Sequence, residues 1–71
     1  MSDNKKELNI SINDEMEIIK YHLNEARKNA EWAKQSNEEG LPINTWLCFG
    51  FAITELELII RRLERIVQNV R

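Results

Sequence analysis

The chain has 71 residues, with 10 lysines and arginines, 12 aspartates and glutamates, and a formal net charge of −2. This slightly acidic balance excludes the basic composition of a general nucleic-acid binder, so we expect no DNA partner. One cysteine, Cys48, excludes an internal disulfide, and a core this small supplies only about 3–5 kcal/mol. Oligomerisation is the usual remaining source of stability, so we expect a single domain over residues 1–71 that associates with copies of itself.

The N-terminal segment, residues 1–10, is mostly polar. We expect it either to fray or to lengthen the first helix loosely. No apolar leader follows Met1, and no apolar run approaches the length of a membrane span. These features predict a cytoplasmic protein with no membrane partner.

The first predicted helix covers about residues 13–38. Ser11 or Asn13 can cap it, and Asp14 and Glu15 place negative charge in the first turn, where the helix dipole favours it. Apolar residues then recur at alternating spacings of four and three. They are Ile12, Met16, Ile19, Leu23, Ala26, Ala30 and Ala33. Gly40 is a predicted left-handed C-cap, and a turn is expected at about residues 39–43.

The second predicted helix covers about residues 44–70, with Asn44 as its N-cap and Pro42 just ahead. Its large apolar residues have the spacing of a heptad seam. They are Trp46, Phe49, Ile53, Leu56, Ile60, Leu63, Val67 and Val70. A second apolar row, Ala52, Ile59 and Ile66, lies beside this seam. The helix is therefore apolar over more surface than one partner helix covers.

These two helices predict an all-α fold, an antiparallel two-helix hairpin that assembles into a homo-oligomeric helical bundle. Pairing the two apolar series places the alanines of the first helix against the aromatic residues of the second, with Ala30 facing Phe49. Large residues against small ones pack layers to native density. The surplus row, Ala52, Ile59 and Ile66, is expected to be covered by another hairpin.

Residues that could carry catalysis are sparse. His22 is the only histidine and forms a single His-x-x-Glu spacing with Glu25, whereas di-metal helical bundles need several such groups on different helices. Cys48 has no activating base beside it in sequence, and there is no glycine-rich phosphate loop. We expect no enzyme activity, no metal and no cofactor, with His22 at a surface or an interface.

The sequence does indicate a candidate ligand-binding site, because aromatic and cationic residues lie outside the predicted seam. They are Tyr21, Lys28 and Trp32 on the first helix, and Arg61, Arg62 and Arg65 on the second. Aromatic faces with guanidinium groups suit a ligand made of bases and phosphates. The alternative is a solvated edge of ion pairs, since Glu57 and Arg61 have ordinary i,i+4 spacing.

A short motif resembles a known family. Ala52-Ile53-Thr54-Glu55-Leu56-Glu57, after Trp46 and before a basic, apolar helix end, resembles the second helix of the phage hairpin proteins that act as nucleotide sponges against CBASS and Thoeris defence. Asp14-Glu15-Met16-Glu17-Ile18-Ile19 is similar to the start of their first helix. The resemblance implies a symmetric oligomer that sequesters a cyclic nucleotide messenger between protomers without cleaving it, in the cytoplasm of an infected bacterium. Thr54, as a motif residue, joins the expected ligand-binding set.

A second function class stays open from the sequence. A homodimeric four-helix bundle could act as a regulator or adaptor, with its exposed apolar strip meeting a protein or RNA partner.

Overall fold

The computed structural model describes residues 11–69, which form two helices, α1 (Ile12–Glu38) and α2 (Pro42–Asn69). No strand occurs between residues 11 and 69. The helices run antiparallel and contact each other along their length. The predicted all-α helical hairpin is confirmed, while its assembly with other copies stays a prediction. The expectations for residues 1–10 and for Val70 lie outside the described residues.

The start of α1 is fixed by Ser11, one of the two predicted caps. Its backbone is extended, and its Oγ accepts a hydrogen bond from the backbone N–H of Asp14 at 3.3 Å. Asp14 and Glu15 lie in the first turn, where their negative charge is favoured by the exposed N–H groups of the helix end. Sequence and structure therefore agree on where this helix begins.

The turn between the helices depends on Gly40, whose φ of +74° lies in the left-handed region. Two hydrogen bonds close it. The Leu41 N–H donates to the Ser36 carbonyl at 2.9 Å, and the Gly40 N–H donates to the Asn37 carbonyl at 3.1 Å. This is the Schellman arrangement, which a residue with a Cβ adopts only at a cost. The chain reverses here within three residues.

The start of α2 differs from the prediction. The helix begins at Pro42, so Asn44 lies inside the first turn and its expected role as N-cap is wrong. Proline suits a first helical position, because its φ is already helical and its missing N–H would have no partner there. Thr45 secures the turn, since both its N–H and its hydroxyl donate to the Leu41 carbonyl, at 3.0 and 2.9 Å.

On α2 the hairpin packs on a different row of side chains from the one we predicted, whereas Ile19, Ala26 and Ala33 of the predicted α1 row are buried as expected. Trp46, Phe49 and Leu56 of the predicted seam are 75%, 48% and 44% exposed. The buried residues of the interface include Ala26, Ala33 and Ala52. Ala30 is half-buried and Phe49 is 48% exposed, so the most buried packing is at these small residues rather than between Ala30 and Phe49. Ile59 and Ile66, which we predicted to be covered by another hairpin, are half-buried in the same row as Ala52.

Two polar contacts join the helices across this seam. The Arg62 guanidinium donates to both carboxylate oxygens of Glu15, at 2.9 and 3.2 Å. His22 Nδ1 and Glu55 Oε1 are 2.6 Å apart. Glu15 is the most buried of the four, with 9% of its side chain exposed. Because each group meets a complementary one, the seam accommodates polar residues that would otherwise be costly to bury.

Ala33 is the tightest position of the seam, at 0% exposure. We expect Ala33→Leu to lower the free energy of unfolding by about 1–3 kcal/mol, since three extra carbons have no room between the helices. Chemical denaturation measures the loss. Ala30→Leu, one turn earlier and half-buried, should cost less. A larger loss at Ala30 than at Ala33 would favour the pairing predicted from sequence instead.

Candidate functional site

One side of the hairpin is an apolar face. Helical geometry places the predicted α2 row, together with the members of the α1 row that are not buried, beside the true seam and on the same side of both helices. Apart from Trp46 beside the turn, their large members are each between 39% and 70% exposed. They are Ile12, Met16 and Leu23 of α1, and Phe49, Ile53, Leu56, Ile60, Leu63 and Val67 of α2. We call this set the apolar face.

The opposite side of the hairpin has a mixed composition. On each helix its residues again alternate by spacings of four and three, on the other flank of the seam. They are Tyr21, Lys28 and Trp32 of α1, and Phe51, Thr54, Leu58, Arg61 and Arg65 of α2. We call this set the mixed face. It holds every residue of the predicted ligand set except Arg62.

Tyr21 is exposed near the middle of the mixed face. Its ring meets that of His22 edge-on, with the centroids 5.4 Å apart and the planes at 68°. Because His22 contacts Glu55, Tyr21 lies level with Thr54 and Leu58 on α2. Tyr21 is 59% exposed, and its ring offers a flat surface to a base.

Lys28 and Trp32 continue this stripe along α1. The Lys28 ammonium forms a 3.2 Å ion pair with Glu25, and more than half of its side chain is exposed. Trp32 is also more than half exposed. Such a pair on a helix surface contributes little to stability, so Lys28 can change partners at small cost.

The three predicted arginines separate into two groups. Arg61 and Arg65 are exposed, and neither forms a salt bridge with any residue from 11 to 69. Arg62 is turned into the seam, with 31% of its side chain exposed and both Glu15 oxygens as acceptors. We therefore assign Arg62 to the hairpin and keep Arg61 and Arg65 as the candidate phosphate contacts.

Thr54 lies near an open groove on the outer surface of α2. Its hydroxyl donates to the Gly50 carbonyl at 3.1 Å. The groove above Gly50 has a volume of about 370 Å³ and is flanked by aromatic side chains, among them Trp46 and Phe51. A Cβ added at Gly50 would meet nothing within 4 Å. The glycine is therefore not required by packing within the hairpin.

The polar residues of the seam were not identified as a group from sequence, although a signal was present. Glu15 and His22 are seven residues apart, as are Glu55 and Arg62. In an antiparallel pair of helices, equal spacings allow both complementary contacts to form at once. Complementary polar groups two turns apart would have indicated this row as the seam.

The length of the apolar segment in α2 differs from our expectation. An 18-residue window within Pro42–Asn69 has a mean hydropathy of 1.4 and is only 6% buried, so by length and composition alone this helix could cross a membrane. The seam gives a different reason for its composition. Glu55 and Arg62 tie α2 to α1, a helix rich in charged residues, and the exposed apolar surface is then available for protein contacts.

Comparisons of the chain with protein-family models, with curated proteins and with solved structures find no match. The resemblance to the sponge family therefore rests on the motif residues in the two helices. Of these, Glu15 and Glu55 lie in the seam and Thr54 lies on the mixed face.

Proposed function

We propose that this protein is a binding module: a self-associating helical hairpin that captures a cyclic nucleotide and releases it chemically unchanged. The proposal agrees with the motif resemblance around Thr54. The observation that carries it is the mixed face, where exposed aromatic rings and guanidinium groups lie on one side of the hairpin. This is the combination that recognises bases and phosphates.

The distribution of these groups favours a site shared between copies. Along the mixed face, Arg61 and Arg65 lie toward the end of α2, whereas Trp32 lies toward the turn. A cyclic di- or trinucleotide carries two or three phosphates and as many bases. One hairpin offers Lys28 with Trp32 near the turn and Arg61 with Tyr21 farther along, so a second copy would supply the remaining cations and rings around such a ligand.

The mixed face provides binding groups rather than catalytic ones. Its cations are arginines and a lysine, which can hold phosphates by charge and hydrogen bonding. We therefore propose sequestration. In the setting that the resemblance implies, the ligand is an immune messenger and the protein lowers its free concentration in the cytoplasm of an infected bacterium.

A screen by thermal unfolding tests this proposal. A ligand that binds only the native state raises the melting temperature, because it adds a free energy of about 2.7 kcal/mol at 100 times its dissociation constant. We expect one or more cyclic di- or trinucleotides, or a cyclic ADP-ribose isomer, to do so. Mass spectrometry of the ligand recovered after denaturation should show an intact molecule. Recovery of a linear or hydrolysed product would contradict sequestration.

The apolar face favours a second candidate, a four-helix-bundle adaptor for a protein or RNA partner. Exposed apolar surface of this extent usually marks an interaction site. An adaptor should show no thermal shift with any cyclic nucleotide, and its unmodified form should retain a partner that an apolar-face variant such as Ile53→Glu loses. The thermal-unfolding screen therefore distinguishes the nucleotide-binding module from the adaptor.

A further inference from the structure

The apolar face matches the largest exposed apolar patches found on monomers. Its nine large side chains are each about half exposed. A whole aromatic side chain buries 150–250 Å², and eight of the nine are aliphatic and smaller, so at half exposure they contribute on the order of 70 Å² each, or roughly 600 Å² together. The largest patch on a typical monomer is about 300–600 Å². With its polar rim added, the face approaches the roughly 800 Å² per partner that a stable protein interface buries.

We propose that the apolar face is a dimer interface, covered by the apolar face of a second copy to give a four-helix bundle. Self-complementarity follows from composition, because an apolar surface of this shape needs an equally long apolar surface, and the chain itself supplies one. The hairpin then gains the core that its own seam of alanines and polar pairs does not provide. In such a dimer the two mixed faces point outward on opposite sides, so the ligand site shared between copies would form between dimers. The inference about the apolar face does not depend on the proposed ligand.

The charges at the rim of the apolar face indicate how the second copy is oriented. On α1 the rim carries Lys20, Arg27 and Lys34, spaced by seven, whereas on α2 it carries Glu57 and Glu64, also spaced by seven. Glu31 and Glu38 lie at the same edge of α1 nearer the turn. The α1 rim is therefore basic around Lys20 and mixed near the turn, whereas the α2 rim is acidic. In paired helices, charges at such flanking positions select the partner and its direction.

Two hairpins can meet face to face about either of two symmetry axes. With the two-fold axis perpendicular to the helices, α1 lies on α1 of the second copy, and the basic rim meets itself. With the axis parallel to the helices, α1 lies on α2 of the second copy, and Lys20 of the α1 rim meets Glu57 of the α2 rim. Like charges at these positions repel and unlike charges attract, so the parallel axis is favoured.

The positions of the charged residues along the bundle axis, called their heights below, agree with a two-fold axis parallel to the helices. The His22–Glu55 contact sets those residues at one height, and Lys20 and Glu57 lie two residues away from it in the same direction along the bundle. A two-fold axis parallel to the helices preserves height, so Lys20 of one copy meets Glu57 of the other. Within one hairpin, Lys20 has only an exposed 3.6 Å pair with Glu17, and Glu57 has no ion pair with residues 11–69. Both turns of the dimer then lie at the same end.

Two matched leucines test which face is covered. Leu56 on the apolar face is 44% exposed, and Leu47 on the other side of α2 is 45% exposed. Sedimentation velocity at micromolar concentration should show that the unmodified protein has at least twice the 8.4 kDa mass of one chain. Leu56→Glu should sediment as a monomer, and Leu47→Glu should remain associated. A monomeric unmodified protein, dissociation by Leu47→Glu alone, or association with neutral phosphatidylcholine vesicles in place of self-association would overturn the proposal.

A charge exchange tests the orientation and does not depend on whether Leu56→Glu folds. Lys20→Glu and Glu57→Lys should each raise the dimer dissociation constant roughly tenfold, since each places two pairs of like charges at the rim. The double variant should restore it to within about twofold, with the helical content by circular dichroism unchanged. A tighter dimer with Lys20→Glu alone would show that α1 lies on α1. A double variant that dimerises no more tightly than the single variants would contradict the proposed contact between Lys20 and Glu57.

Discussion

Replacing Glu15 by alanine is expected to lower the free energy of unfolding by about 3 kcal/mol. The carboxylate is nearly buried and accepts two hydrogen bonds from Arg62. Removing one partner of a buried ion pair typically costs 3–5 kcal/mol, because the other charge is left without compensation. Arg62 retains some contact with water at 31% exposure, so we expect a value at the lower end. In a domain this small, such a loss is a large part of the total free energy of unfolding.

A control for this prediction lies two residues away. Glu17 is also a glutamate in an ion pair, but its side chain is 75% exposed and its contact with Lys20 is 3.6 Å long. Glu17→Ala should cost well under about 1 kcal/mol. The double variant Glu15→Leu/Arg62→Leu should recover most of the loss, since an apolar pair can replace a buried ionic one. Equal losses at Glu15 and Glu17 in chemical denaturation would contradict the assignment of Glu15 to the seam.

Reversing both exposed arginines, Arg61→Glu with Arg65→Glu, is expected to weaken nucleotide binding by more than about 100-fold. Each hydrogen bond between an arginine and a phosphate contributes about 1.5–3 kcal/mol, and about 1.4 kcal/mol corresponds to a factor of ten in affinity. Reversal also adds repulsion toward the anionic ligand. Because neither side chain takes part in the seam or the apolar face, folding and self-association should be unchanged.

A matched comparison separates local contacts from overall charge. Arg61→Glu and Lys34→Glu each reverse one exposed cation, but Lys34 lies at the rim of the apolar face and not on the mixed face. Both variants are therefore compared at concentrations where sedimentation shows them associated. The first should weaken binding at least tenfold, and the second should change it less than about threefold. Equal effects in equilibrium dialysis would mean that the ligand senses only the net charge of the protein. Arg62 is unsuitable for this test, because its reversal would disrupt the contact with Glu15.

The sequence predicted the helices and the turn well, because the signals for them are local. Ser11 and Gly40 have defined backbone roles at helix ends, and the structure assigns them those roles. The α2 side of the seam was predicted wrongly, because it depends on which of two adjacent rows packs within the chain. We assigned the larger row, containing Leu56, to the hairpin. The structure instead packs the row of Ala52 there and leaves Leu56 exposed.

Periodicity alone could not decide between these rows. Both repeat every seven residues on α2, and hydrophobicity favours burying the larger one. The pairing of side chains between the two helices determines which row is buried. Small residues at Ala26 and Ala33 allow close approach, and Glu15 and His22 each need a complementary group. The same uncertainty affected the prediction of the candidate site. Arg62 was assigned to the ligand set from sequence, but it lies in the row that faces α1 and therefore belongs to the seam.

Isothermal titration calorimetry of the unmodified protein tests the central proposal, capture of a cyclic nucleotide by the associated hairpin. The protein is used at a concentration where sedimentation shows it associated, and the titrants are cyclic dinucleotides, cyclic trinucleotides and cyclic ADP-ribose isomers. We predict saturable heat with at least one of them, fewer than one ligand bound per chain because copies share the site, and no heat when Arg61 and Arg65 are reversed. The absence of heat with every titrant, from protein shown to be associated and folded, would contradict the proposal.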